Sequence, residues 1–153
     1  MDLIRTLKTQ HESVLGIVSE IDEALRRRDE IEVRALLTRL QGPLLAHLEL
    51  EDRQLYPALI VGGQAPEQEQ LSVTAKLFAA DMLSISDALE DFFRRNRPET
   101  LELTKFEPDF REIVAILLER VTAEEKTLYP LYTRLAAAQE LAPEHRPEGL
   151  RVA

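Results

Sequence analysis

The sequence predicts an all-α fold, an up-down-up-down four-helix bundle. Three observations carry that expectation. Apolar residues recur in steps of three and four along nearly the whole chain, the period of helices with one buried face. No stretch alternates apolar and polar residues as a half-buried strand would. Short connections rich in Gly, Pro or charge separate the periodic segments, which makes consecutive helices antiparallel neighbours. The length of 153 residues suits one domain with one sizeable core. The bundle is expected over residues 1–138, followed by a polar tail over 139–153.

In the first helix the seam is Ile4, Leu7, His11, Val14, Val18, Ile21 and Leu25. Asp2 can cap its start. Arg26-Arg27-Arg28 falls at its end, where positive charge complements the helix dipole. The second helix is expected from about Ile31 to Ile60, with Leu37, Leu40, Leu44, His47, Glu51, Leu55 and Leu59 on one face. Gly42-Pro43 should kink it or start a new turn, and the loop VGGQAP ends it. The third seam reads Leu71, Ala75, Phe78, Met82, Ile85, Leu89 and Phe92, until RRNRPET breaks the pattern. The fourth helix is expected to start near Pro108, a good first-turn residue. Its stripe is Phe110, Ile113, Leu117, Arg120, Glu124, Leu128, Leu131 and Leu135. Beyond Ala138 the chain turns polar and proline-bearing, and His145 there is expected to be solvated.

A net charge of -9 argues against nucleic acid and anionic membrane as partners, since phosphate binding needs clustered Lys and Arg. There is no cysteine, so neither disulfides nor thiolate metal sites are available. No apolar run reaches membrane-spanning length, and the start, MDLIRTLKTQHE, lacks the pattern of a secretion signal. A soluble cytoplasmic protein is expected.

The seams raise one question. His11, the pair His47 and Glu51, and the pair Arg120 and Glu124 sit at mid-height on faces that should be apolar. Burying a charge costs several kcal/mol, roughly, unless it is paired or bound to a metal. These groups are therefore expected to satisfy one another or to hold an ion. His and Glu at i and i+4 share one helix face, and imidazole with carboxylate suits zinc, iron or manganese. For His11 two roles stay open, a ligand or a core-edge histidine bonded to a neighbouring carboxylate. Met82 reads as a plain core methionine. Tyr56 and Tyr129 are expected to pack at the bundle end with a bonded hydroxyl, each before a proline that ends regular helix. Asp52 and Glu125 are expected to face solvent.

The chain also echoes itself. HLELEDRQLYP from His47 matches RVTAEEKTLYP from Arg120, and the first seam falls on the third when His11 is laid on Met82. Together, TQHESVLGIVSEID, HLELEDRQLYP and EEKTLYP resemble the hemerythrin-like, or HHE cation-binding, family over about residues 1–138. The resemblance implies a bundle around a non-haem di-iron centre that binds oxygen or senses oxygen, redox state or iron. Carried over by position, His11, His47, Glu51 and Glu124 match family metal ligands. The third-helix histidine is replaced by Met82, Phe78 stands where some members have a further His, and the fourth-helix histidine is replaced by Arg120. Arg stays protonated and cannot ligate, so an intact di-iron centre is not expected.

The expectation is thus a degenerate site holding one divalent metal (Fe, Zn or Mn) or none, with Arg120 in place of the second iron. Glu51 and Glu124 less Arg120 leave one negative charge, which either an ion or a proton can offset. Cation binding or sensing is the first functional reading, and no enzyme activity is indicated. The alternative is a metal-free bundle acting as a protein-binding regulator. LLERVTAEEKTLY resembles bacterial anti-sigma factors of the regulator-of-sigma-D type. A homodimer through Leu36, Leu45, Leu48 and Leu50 is a third possibility.

Overall fold

A computed structural model describes residues 2–63 and 69–140. It is a four-helix bundle. The first rod is α1 (Leu3–Arg26), the second is α2 (Glu30–Leu50) continued by α3 (Tyr56–Gly62), the third is α4 (Glu69–Arg95), and the fourth is α5 (Leu103–Ala123) continued by α6 (Tyr129–Glu140). Among the described residues there is no strand, and no helix is long and apolar enough to cross a membrane. The second half of VGGQAP, and the tail beyond Glu140 with His145, lie outside the described residues.

Caps fix the first two starts. The Asp2 carboxylate accepts from Arg5 N–H at 3.2 Å, and the Asp29 carboxylate from Glu32 N–H at 3.1 Å, each satisfying a donor the first turn leaves free. At the end of α1, Arg26 and Arg27 pair with Asp22 and Glu23 one turn back, and Arg28 turns the chain in a left-handed conformation with φ 57°. At the far end of the bundle Gly63 lets α3 and α4 meet. A Cβ on it would lie 2.3 Å from Ser72 Cβ and 2.5 Å from the Ser72 backbone nitrogen.

Two expectations about proline are corrected. Pro43 does not interrupt α2, which runs through it from Glu30 to Leu50. Its ring lies on the exposed face, where solvent can hydrate the carbonyl that the missing N–H frees, while buried Leu40, Leu44 and His47 hold the opposite face. The fourth rod starts at Leu103 rather than Pro108, which sits inside the helix on its exposed side.

The third correction concerns Leu-Tyr-Pro. Each copy follows a π-helical turn, Glu51–Leu55 and Glu124–Leu128, closed by Tyr56 N–H to Glu51 C=O and Tyr129 N–H to Glu124 C=O. The proline that follows has no N–H and its ring crowds the carbonyl four residues back. The chain therefore accommodates one extra residue in the turn, and then continues as helix instead of ending. The wider turn brings consecutive residues inward: Leu55 with Tyr56, and Leu128 with Tyr129, are all buried.

The interior divides into two apolar clusters. One gathers Val14, Ile21, Leu25, Leu37, Leu44, Phe92, Phe106 and Phe110. The other gathers Leu3, Leu7, Leu55, Leu59, Leu71, Met82, Leu128 and Leu135. Of the second-rod leucines considered for a dimer face, Leu36 is buried in the core and Leu45 is half exposed.

Candidate metal centre

Between the two apolar clusters lies a buried polar layer. His11, His47, Glu51, Arg120 and Glu124 are each at most 7 % exposed, although they come from three rods and both π turns. One ligand atom from each of His11, His47, Glu51 and Glu124 lies within 4.8 Å of the others. His11 Nε2 is 3.1 Å from His47 Nε2 and 3.0 Å from Glu124 Oε1. His47 Nε2 is 3.5 Å from Glu51 Oε2 and 3.8 Å from Glu124 Oε1. A tetrahedral ion with bonds of about 2.1 Å needs ligand atoms about 3.4 Å apart, in the middle of this range.

The outer nitrogens decide where the lone pairs point. His11 Nδ1–H donates to Glu125 Oε2 at 2.7 Å, and His47 Nδ1–H donates to Gln10 Oε1 at 2.9 Å. In the neutral rings this tautomer leaves both Nε2 atoms unprotonated and facing inward, the form in which they could ligate an ion. Glu51 Oε1, fully buried, has no hydrogen-bond partner. The four ligand atoms thus converge on one another, and a small cavity of about 20 Å³, walled mostly by apolar side chains such as Leu44, Met82 and Leu117, lies beside them. That is room for one water-sized body and not for two. The donor set fits a single cation.

Without a metal, protons serve. Burial works to lower the His47 pKa, but hydrogen bonds to Glu124 and Glu51 outweigh it and hold it up at about 9. Burial raises Glu51 to about 7. Burial would raise Glu124 as well, but hydrogen bonds from His11 and His47, with the Arg120 charge, hold it well below the usual carboxylate range. Protons held on His47 and Glu51 thus offset negative charge in the layer when no ion is bound.

Arg120 fills the other half of the layer. Its Nε–H donates to Glu124 Oε2 at 3.2 Å, and its terminal nitrogen donates to Tyr56 Oη and to the Phe78 carbonyl at 2.8 Å. The guanidinium lies 4.7 Å from the centre of the Phe78 ring, a favourable cation–π distance. The arginine therefore points inward, as its place on the apolar stripe predicts.

Sequence reasoning missed four contributors. Tyr56 and Tyr129 do not pack at the bundle end; their hydroxyls reach the polar layer. Tyr129 O–H donates to Glu51 Oε2 at 2.8 Å and lies 3.2 Å from His11 Nε2. Glu125 does not simply face solvent, since it grips His11, whereas Asp52 is exposed as expected. Gln10 was not singled out at all. The signal for Glu125 and Gln10 was adjacency, one residue after a seam carboxylate and one before a seam histidine.

The fold and this layer define a class: helical bundles that enclose a histidine–carboxylate group able to hold a cation. The family model of the hemerythrin HHE cation binding domain matches residues 2–132, and the chain belongs to that family. It matches no curated protein and no solved structure.

Proposed function

We propose that this protein binds one divalent metal ion at His11, His47, Glu51 and Glu124, and acts as a cation-binding or sensing protein rather than an enzyme. One observation carries the reading: four buried ligand atoms converge within 4.8 Å of one another, with both imidazole protons drawn outward to Glu125 and Gln10. Two imidazoles with two carboxylates suit iron, zinc or manganese. Such an ion would supply a Lewis-acidic centre closed off from bulk water by the two apolar clusters.

Arg120 supplies the positive charge that a second ion would bring. Tyr129 holds Glu51 in place by its hydroxyl, and Tyr56 does the same for Arg120. The test is a thermal titration of metal-stripped protein with Zn(II), Fe(II) and Mn(II). At a hundredfold excess over Kd a bound ion should stabilise the fold by about 2.7 kcal/mol, and His47→Ala should abolish the gain. A melting temperature unmoved by all three ions would overturn the reading.

A second reading draws on Arg120. Its three hydrogen bonds complete half of the layer without any metal, as a metal-free bundle kept for protein binding would require. Recovery of a stable partner equally by stripped wild type and by His11→Ala/His47→Ala would favour it.

A further inference from the structure

We propose that Glu125 is the positioning residue that sets the affinity of this site for a divalent ion, an inference that rests on the metal-binding reading above. His11 is gripped from both sides by consecutive residues. Glu124 Oε1 stands 3.0 Å from its Nε2, and Glu125 Oε2 stands 2.7 Å from its Nδ1. Both carboxylates belong to the π turn Glu124–Leu128, which places neighbours in sequence on opposite edges of one imidazole.

The two histidines are consequently unequal. His47 donates to a neutral amide, Gln10, at 2.9 Å. His11 donates to a carboxylate, which draws its proton more strongly and makes Nε2 a more basic ligand. Glu125 also changes the charge of the layer. Glu51, Glu124 and Glu125 less Arg120 leave two negative charges, matched by one divalent cation. The Glu125 side chain keeps 39 % of its surface exposed, so it delivers this charge from the rim at a small desolvation cost.

The internal repeat provides a comparison. Asp52 is the counterpart of Glu125, and Met82 is the counterpart of His11. Met82 has no N–H to donate, and Asp52 is exposed. The same acidic position grips a ligand in one half of the bundle and none in the other.

The experiment titrates metal-stripped wild type, Glu125→Gln, Asp52→Asn and Gln10→Glu with Co(II) by visible absorption, then with Zn(II) by competition. Glu125→Gln should weaken binding of both ions by about 10- to 100-fold. Asp52→Asn removes one negative charge of the same kind and should leave binding within about twofold of wild type. Gln10→Glu, which places a carboxylate behind His47, should tighten it. Glu125→Gln binding like wild type, or Asp52→Asn weakening binding as much as Glu125→Gln, would overturn the inference while leaving the metal site standing. Wild type that binds neither ion would overturn both.

Discussion

Arg120→Met tests how the buried layer is held together. The substitution keeps a long unbranched side chain and deletes the guanidinium. Arg120 is 7 % exposed and donates to Glu124, Tyr56 and the Phe78 carbonyl. Removing one partner of a buried pair typically costs about 3–5 kcal/mol, because the other charge stays buried and uncompensated. At about 2–4 °C per kcal/mol for a domain near this size, the metal-stripped protein should melt on the order of 10 °C lower. The assay is thermal and urea unfolding of stripped wild type, Arg120→Met, Glu124→Gln and the double variant. The double variant, with both charges gone, should be more stable than the sum of the single losses predicts, by about 2 kcal/mol. A loss below about 1 kcal/mol with an additive cycle is what an exposed i,i+4 pair gives, and it would refute the reasoning.

Three further outcomes are expected. The His47 pKa is raised to about 9, chiefly by Glu124 and Glu51 working against burial, so its contribution to stability is full below its unfolded value near 6.5 and is lost as pH rises through 9. Stripped protein should thus lose stability between pH 6.5 and 9 in urea titrations, while the stabilisation added by zinc should grow over the same window, because ligands must shed their protons to bind it. Tyr129→Phe removes the hydroxyl that donates to Glu51 at 2.8 Å, and should cost about 1–3 kcal/mol with an unchanged urea m-value. Gly63→Ala sets a methyl against the Ser72 backbone; it should cost about 1–3 kcal/mol by strain between α3 and α4, measurable as a lower urea midpoint.

The rods and their buried faces were legible because helical periodicity survives along each seam. His11, His47, Glu51 and Glu124 were legible for the opposite reason, since polar residues interrupted an apolar stripe. Arg120 could be placed inward because Ile113, Leu117 and Leu128 share its face. Less legible were the consequences of the prolines. Periodicity assumes 3.6 residues per turn, and the π turns before Pro57 and Pro130 add one residue, so Tyr56 and Tyr129 rotate inward where a regular helix would carry them past the layer. Pro43 looked like an interruption and Pro108 like a helix start, but both lie inside helices on exposed faces, where solvent can take the place of a lost hydrogen bond. Glu125 and Gln10 flank seam residues, and a one-dimensional pattern assigns such neighbours to solvent. Only the packing of α1 against the second and fourth rods shows that they reach the outer nitrogens of the histidines.

The most direct measurement counts metal. Protein produced with iron, zinc and manganese all supplied, then freed of loosely bound ions, should contain one metal ion per chain by elemental analysis, and His47→Ala should contain none. Two ions per chain would mean that Arg120 does not occupy the second position, and none in the wild type would mean that protons alone fill the layer.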